Sequence, residues 1–217
     1  MSAAGGDSRA VLARLDPRVP AALAQRAESY RPPPVEPRLS ASVLLMRDGV
    51  AGLEVYVLHR QLTMAFAAGV VAFPGGGAEP GETPIEVARR ETAEETGVRL
   101  DPTALLPWAH WITPACEARR YDTHFFVAAL PAGQTAEDLT TETVRAEWAA
   151  PRAVLNEADT GRLVLMPPTR SMLLELADCV DLAAVLVMAD GRQVHPVLPD
   201  LVRTEAGWSF VWPKADR

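Results

Sequence analysis

The chain has 217 residues, of which 48% are hydrophobic, and this length and apolar content predict one domain with a sizeable core. Its net charge is −7 and its pI is near 5.2, which argues against a nucleic-acid groove, because binding to phosphates requires clustered Lys and Arg. No run reaches the ~18 apolar residues that a membrane span needs, so the sequence predicts a soluble protein.

The first 40 residues are rich in Ala, Arg and Pro. A short helix is predicted near residues 19–29, and the prolines at 32–34 predict an extended connector, since proline fixes φ and lacks an N–H group. We therefore expect residues 1–40 to form an N-terminal arm. Residues 41–217 would form the domain, with a helical and hairpin extension at its C-terminal end.

A β-hairpin is predicted next. Two apolar runs, 43–46 and 53–58, flank turn residues at 48–52. Small and apolar residues at 65–73 then lead into the glycine-rich sequence Phe-Pro-Gly-Gly at 73–76. We expect the hairpin to belong to the sheet on which this glycine-rich sequence is mounted.

Signals at both ends predict a helix over residues 84–96. Thr83 can cap the first turn, Pro84 suits the first helical position and Glu86 completes a Thr-x-x-Glu capping box. Gly97 provides the stop.

Downstream, the pattern of apolar residues is typical of an α/β fold, and the sequence contains no internal repeat. The predicted strands are 105–112, 123–130 and 143–149. The predicted helices are 152–156, 169–177 and 180–189, followed by a terminal hairpin at 201–212.

The helix at 84–96 has two distinct faces. Ile85, Ala88 and Thr92 recur at helical spacing and predict the stripe that faces the core. Glu91, Glu94 and Glu95 are spaced i, i+3 and i+4 and lie together on another side of the helix. Their carboxylates repel one another, and they lie near the negative end of the helix dipole. A divalent cation would reverse that cost, and oxygen ligands select Mg²⁺ or Mn²⁺ over Zn²⁺.

The alternative is an ordinary solvated acidic face with ion pairs Glu86–Arg90 and Arg90–Glu94. The glycine-rich sequence before this helix argues against that alternative. So does Glu82, which seven intervening residues separate from the Arg90-Glu91 pair. Together these features favour a metal site.

Residues 76–98 resemble the Nudix box, G-x5-E-x7-R-E-U-x-E-E-x-G-U, in which U is aliphatic. The matching residues are Gly76, Glu82, Arg90, Glu91, Glu94, Glu95, Gly97 and Val98. Thr92 stands at one U position, and its hydroxyl can bond a carbonyl one turn back. The resemblance implies an α/β/α sandwich with a mixed sheet. It also implies hydrolysis of a nucleoside diphosphate linked to another moiety, with Mg²⁺ or Mn²⁺ as cofactor.

The same resemblance implies a role for each acidic residue. The metal ligands would be Glu91, Glu94, Glu95 and a main-chain carbonyl near Gly75. Arg90 would orient the glutamates, and Glu82 would pair with Arg90 or assist the metal through water. A further acidic ligand or base is expected at Glu142, with Glu147 as the competing candidate, or the base is one of the box glutamates. The catalytic candidates are therefore Arg90, Glu91, Glu94, Glu95 and Glu142.

Two further segments resemble the coenzyme A branch of the family. Residues 69–76, Gly-x3-Phe-Pro-Gly-Gly, are similar to part of the coenzyme A pyrophosphatase signature, although Ala65 replaces its arginine. Residues 111–126, together with 167–169, resemble acyl-CoA diphosphatases of the peroxisomal type and their bacterial relatives. Phe73 is accordingly a candidate for substrate binding.

Arg119 and Arg120 follow a predicted proline turn and could offer a guanidinium fork to a substrate phosphate. A salt bridge with Asp122 explains them equally well. His124 alternates with Phe125 on a predicted strand and is expected to pack on the sheet. No role is assigned to the other histidines, His59, His110 and His195.

The leading hypothesis is a Mg²⁺- or Mn²⁺-dependent diphosphatase that acts on coenzyme A or an acyl-CoA. An alternative keeps the chemistry and changes the substrate to ADP-ribose, a dinucleotide or a nucleoside triphosphate. A third hypothesis is a non-catalytic binding module, although a binder has no use for the costly carboxylate cluster.

Cys116 and Cys179 lie far apart without a metal-binding spacing, which favours thiols in a reducing compartment, and we expect a cytoplasmic protein. The expected partner is a small nucleoside diphosphate derivative rather than a nucleic acid or a membrane. A homodimer is possible.

Overall fold

A mixed nine-stranded sheet organises the chain, in a computed structural model that describes residues 6–61, 69–140 and 143–214. The strands of this sheet are β1 (Arg38–Gly49), β2 (Gly52–Arg60), β3 (Val70–Ala72), β4 (Gly75–Gly77), β5 (Leu106–Ile112), β6 (Tyr121–Ala129), β7 (Thr143–Ala149), β8 (Val164–Leu165) and β9 (Pro196–Val197). A separate hairpin consists of β10 (Asp200–Thr204) and β11 (Gly207–Val211). The α-helices are α1 (Ala21–Ser29), α2 (Pro84–Thr96), α3 (Pro151–Asp159), α4 (Pro167–Leu176) and α5 (Leu182–Ala189), and short 3-10 helices span Ala10–Arg14 and Pro102–Ala104.

The strand order β8-β3-β2-β1-β6-β5-β9 places β1 in the middle of the sheet. The predicted hairpin is confirmed, because β1 and β2 pair antiparallel around Gly49 and Gly52. β1 and β6 pair in parallel over residues 38–46 and 121–129. β4 pairs antiparallel with the first part of β1, and β7 pairs antiparallel with β2.

Alternate residues of β1 pack into two cores on opposite faces of the sheet, as the two-residue period of a strand requires. Val43 and Leu45 lie in the core that α2 covers. Leu44 and Met46 lie in the core that α3, α4 and α5 cover. Helices therefore lie on both sides of the sheet, and the predicted α/β/α sandwich with a mixed sheet is confirmed.

Helix α2 has the ends that the sequence predicts. The hydroxyl of Thr83 accepts a hydrogen bond from the N–H group of Glu86, and the Glu86 carboxylate accepts one from the N–H group of Thr83. Gly97 ends the helix in the left-handed conformation, with a φ of 74°. The capping signals are local in sequence, and for that reason they could be recognised without the rest of the fold.

The predicted core stripe of α2 is correct at Ala88 and Thr92 but wrong at Ile85, which is 37% exposed. Ile85 lies in the first turn, where its neighbours at 83–86 are also largely in contact with solvent, and Val87 is buried instead. Thr92, the departure from the Nudix box, donates its hydroxyl to the carbonyl of Ala88 at 2.7 Å. This bond is the one predicted for it.

The N-terminal segment packs onto the domain. Val11, Leu12 and Leu15 belong to the core on the face opposite α2. The predicted helix near 19–29 is present as α1. β1 begins at Arg38, so the expected boundary at residue 40 falls inside a strand.

The differences between predicted and observed elements lie mainly in short segments. β8 and β9 contain two residues each, too few to show alternation in the sequence. α5 begins later than expected because the Asp181 carboxylate accepts a hydrogen bond from the N–H group of Ala184 and caps the helix there. Residues 65–68 of the predicted apolar run lie outside the described residues. Within the described part of the chain, every helix is too short or too polar to cross a membrane.

Candidate active site

Strand β4 brings the main chain close to the carboxylates of α2. The N–H group of Gly75 donates a hydrogen bond of 2.8 Å to Oε2 of Glu95, and Glu95 is buried. A Cβ atom on Gly76 would collide with the carboxylate of Glu91, whereas a Cβ atom on Gly77 would meet no atom within 4 Å. The close approach of Glu91 therefore requires glycine at position 76.

Arg90 is fixed by contacts on both sides of its guanidinium. Its Nε donates to Oε1 of Glu82 at 2.8 Å, and its NH2 group donates to Oε2 of Glu82 at 2.9 Å and to the carbonyl of Gly77 at 3.0 Å. Two parallel bonds between an arginine and a carboxylate are strong and specify orientation. The predicted pairing of Glu82 with Arg90 is confirmed.

The third nitrogen of Arg90 faces the helix carboxylates. NH1 donates to Oε1 of Glu91 at 2.9 Å and to Oε2 of Glu94 at 3.2 Å. The guanidinium of Arg90 thus connects β4, the loop before α2 and two glutamates of α2. Arg90 therefore contacts two of the glutamates that the Nudix resemblance implies it orients, and the orienting role itself stays a prediction.

Charge and burial shift the pKa values of two glutamates in opposite directions. Hydrogen bonds from Arg90, and one from the N–H group of Glu79, lower the pKa of Glu82 to about 2. Burial raises the pKa of Glu91, although Arg90 acts against this rise. Glu91 is a half-buried carboxylate whose desolvation Arg90 offsets only in part, and a divalent cation would stabilise its ionised form. The oxygen-only donor set of α2 fits Mg²⁺ or Mn²⁺.

The three carboxylates of α2 do not converge on one point. The Glu91 side chain is 16% exposed and points to β4, whereas the Glu94 side chain is 60% exposed. Arg90 bonds both, and Glu95 turns to Gly75. A single ion bound by all three would require these side chains to move. Their role as metal ligands stays a prediction.

The structure places two of the proposed substrate-binding residues inside the protein. Phe73 is 4% exposed and packs in the core on the face opposite α2. Arg120 is 6% exposed, and its guanidinium donates to the carbonyls of Thr113 at 3.0 Å and Val35 at 2.7 Å. These surroundings favour structural roles, so neither residue enters the function proposed below. Arg119, the third candidate, is exposed on the loop between β5 and β6.

The structure describes only one of the two candidates for a further acidic ligand or base. Glu142 lies outside the described residues, and its role stays a prediction. Glu147 is paired across the sheet with Val57, which packs on the face opposite α2. Its carboxylate contacts His59 at 2.9 Å and Arg145 at 2.8 Å. Glu147 is therefore directed away from the carboxylates of α2.

A cluster that the sequence did not reveal lies on β5 and β6. His110 pairs across the strands with His124, and Asp122 lies two residues before His124 on the same face. Asp122 is hydrogen-bonded to His110, rather than to Arg120 as one interpretation expected. Burial, together with the neighbouring His110, lowers the pKa of His124. The sequence signal for this cluster is the Asp-x-His spacing of Asp122 and His124 on one strand. The third member, His110, could not be identified from the sequence because it depends on the register between β5 and β6.

Comparisons with known proteins identify the family. Residues 36–167, more than half of the chain, match the family model of the NUDIX domain. The chain is 60% identical over 38 residues to the nucleoside triphosphatase NudI of Enterobacter sp. (strain 638), and 40% identical over 70 residues to Nudix hydrolase 3 of Caenorhabditis elegans. These matches cover 18% and 32% of this chain, but only 27% and 28% of the two relatives.

Solved structures share the fold. A NUDIX hydrolase from Alicyclobacillus acidocaldarius is similar with a TM-score of 0.64 over 74% of this chain and 99% of that chain, at 24% identity. The Ap4A hydrolase of C. elegans, in a binary complex, is similar with a TM-score of 0.50 over 65% of this chain and 96% of that chain, at 17% identity. At these identities the likeness concerns the fold. With its family match over residues 36–167 and its α/β/α sandwich, the chain belongs to the Nudix family.

Proposed function

We propose that the chain is a hydrolase that cleaves the diphosphate bond of a nucleoside diphosphate derivative, with Mg²⁺ or Mn²⁺ bound by the carboxylates of α2. The observation that carries this proposal is the contact between β4 and α2. The buried Glu95 accepts a hydrogen bond from Gly75, and the half-buried Glu91 lies against Gly76. The two carboxylates and the main chain of β4 offer oxygen atoms of the kind that hard divalent cations prefer.

Arg90 is the positioning residue of this proposed site. Its two bonds to Glu82 fix the guanidinium, and its NH1 group directs the carboxylates of Glu91 and Glu94. Glu91, Glu94, Glu95 and the carbonyl of Gly75 would hold the cation. When bound, such a cation neutralises charge on the phosphoryl oxygens and activates or orients the attacking water.

The general base is proposed to be Glu142 or one of the glutamates of α2. Glu147 is the weaker candidate because its carboxylate contacts His59 and Arg145 on the opposite face of the sheet. A base must reach the proton that it removes, directly or through one water, and that requirement favours a residue beside α2.

Two substrate classes have support. The motifs at 69–76 and 111–126 favour coenzyme A or an acyl-CoA. The name of one sequence relative, a nucleoside triphosphatase, favours a nucleoside triphosphate. A dinucleotide is the related alternative, and the name of one protein that shares the fold, an Ap4A hydrolase, suggests it. For either class, the exposed Arg119 on the loop between β5 and β6 is the proposed contact for a substrate phosphate.

A substrate panel tests the proposal. Free coenzyme A, acetyl-CoA, ADP-ribose, Ap4A and nucleoside triphosphates would each be incubated with the protein and Mg²⁺ or Mn²⁺, with products identified by mass. Coenzyme A is expected to give 3′,5′-ADP and a phosphopantetheine species, because water attacks the diphosphate and leaves the thiol or thioester untouched. A higher kcat/KM for another nucleotide would select the second substrate class. Binding of these compounds without hydrolysis of any would instead identify a binding module.

A further inference from the structure

The cluster formed by His110, Asp122 and His124 has the composition of a metal site. Its three ligand atoms, one from each side chain, lie within 4.8 Å of one another. Among the residues that the structure describes, no other three His, Cys, Asp or Glu side chains bring their ligand atoms this close together. The side chains are half-buried, with exposed fractions of 18%, 33% and 32%, so solvent ions can reach them.

The backbone holds the three ligands together. His110 and His124 are direct partners in the antiparallel pairing of β5 with β6, so their side chains emerge on the same face. Asp122 and His124 are two residues apart on β6 and share that face as well. All three side chains therefore start from paired strands of a sheet rather than from a loop, and rigid elements position a metal site well.

One carboxylate oxygen lies between two imidazoles. Oδ1 of Asp122 is hydrogen-bonded to Nε2 of His110 and lies 4.0 Å from Nε2 of His124. The two imidazole rings stack, with centroids 4.2 Å apart and an interplanar angle of 19°. A simple hydrogen bond between Asp122 and His110 explains the position of one imidazole. It does not explain the position of the second, because Nε2 of His124 lies beyond hydrogen-bond distance of that oxygen.

The cluster lies on the face of the sheet that α2 covers, but away from the carboxylates of α2. Gly76, Ala41, His124 and His110 are consecutive partners across β4, β1, β6 and β5. Neighbouring strands are about 4.8 Å apart, so His124 is about 10 Å from Gly76 along this row. A Cβ atom on Gly76 would point toward Glu91. The histidine cluster and the α2 carboxylates thus occupy separate positions on the same side of the sheet.

We propose that His110, Asp122 and His124 bind a divalent transition-metal ion, for which Zn²⁺ is the test ion, at a site distinct from the carboxylates of α2. Imidazole ligands suit transition metals, whereas Mg²⁺ prefers oxygen ligands, so the two sites select different ions. Three protein ligands leave at least one coordination position for water or for an anionic oxygen of a small molecule. The proposal concerns metal binding alone and stands or falls independently of the hydrolase activity proposed above.

Direct binding tests it. The 217-residue protein is prepared without an affinity tag and stripped of metal with EDTA. Excess Mg²⁺ is then added to occupy oxygen-only sites. The protein is titrated with Zn²⁺ in competition with a chromophoric chelator. One Zn²⁺ per chain is expected, and X-ray absorption at the zinc edge should show two imidazole ligands. No Zn²⁺ binding, or a first shell of oxygen alone, would overturn the proposal.

Matched variants locate the site. Loss of a residue that only orients a ligand costs about 10–100-fold in metal affinity, so His110→Gln and His124→Gln should each weaken Zn²⁺ binding by at least about tenfold. His59→Gln, a histidine outside the cluster, should leave the Zn²⁺ affinity unchanged, and so should Glu95→Gln on α2. Melting temperatures of the metal-free variants check their folding. Loss of Zn²⁺ binding in Glu95→Gln, with retention in both cluster variants, would assign the ion to α2 and contradict the proposal.

Discussion

Both carboxylate oxygens of Glu82 accept hydrogen bonds from the guanidinium of Arg90, at 2.8 Å and 2.9 Å. Glu82 precedes α2, whereas Arg90 lies in its middle, so this pair ties the loop to the helix. The remaining nitrogen of Arg90 is thereby aimed at Glu91 and Glu94. Stability of the loop and orientation of the proposed ligands consequently depend on the same pair.

The Glu82–Arg90 pair predicts a pH-dependent contribution to stability. The folded protein holds the pKa of Glu82 at about 2, below its ordinary value of 4.5. The ionised carboxylate therefore stabilises the fold fully above the ordinary pKa, and the stabilisation is lost as the pH falls from there toward 2. Glu82→Gln should melt at a lower temperature than the wild type at neutral pH, and the difference should shrink below about pH 4.5. A difference in melting temperature that stays constant over this range would contradict the assignment.

The glycines of β4 predict a sharp contrast between two neighbouring substitutions. Gly76→Ala places a methyl group where the Glu91 carboxylate lies, whereas Gly77→Ala meets nothing within 4 Å. Because a displacement of about 1 Å in a catalytic group can cost on the order of 100-fold in rate, Gly76→Ala should lose about that much turnover. Gly77→Ala should stay close to the wild type. Steady-state kinetics on both variants make the comparison, and equal activities would mean that the position of Glu91 is unimportant.

The environment of Arg120 predicts an effect on stability. Its guanidinium bonds two main-chain carbonyls, and lysine cannot reproduce both bonds. A hydrogen bond to a charged group contributes about 1.5–3 kcal/mol, so Arg120→Lys should lower the free energy of unfolding by about 2 kcal/mol. The exposed Arg119 is the matched control, and Arg119→Lys should not change the melting temperature. If Arg120→Lys melts normally and raises KM instead, the substrate role has to be restored to Arg120.

The helix that carries the proposed ligands could be predicted because its signals are local. Thr83, Glu86 and Gly97 act within one turn of the helix ends, and Thr92 bonds a residue four positions back. The exposure of Ile85 could not be predicted in this way, since it depends on how the first turn of the helix packs against the rest of the fold.

Residues whose partners lie far away in sequence were also beyond prediction. Arg120 bonds the carbonyl of Val35, 85 residues away, and only the packing of the N-terminal segment brings the two together. His110 meets His124 because the strand register places them opposite each other. A sequence alone specifies such a register weakly when the connecting loop is as long as residues 113–120.

The central claim, that the carboxylates of α2 hold the cation needed for hydrolysis, is tested most directly by Glu95→Gln. Glutamine keeps an acceptor for the N–H group of Gly75 but removes the charge and one source of carboxylate repulsion. The variant should therefore fold with an equal or higher melting temperature. The exposed Glu36 provides the control substitution Glu36→Gln.

The measurement is turnover of the best substrate of the panel as a function of Mn²⁺ concentration, for the wild type, Glu95→Gln and Glu36→Gln. We predict that Glu95→Gln loses at least about 100-fold in turnover, the scale of removing one group that stabilises transition-state charge, and binds Mn²⁺ more weakly. Glu36→Gln should match the wild type. Undiminished turnover and Mn²⁺ affinity in Glu95→Gln would contradict the assignment of this carboxylate as a metal ligand.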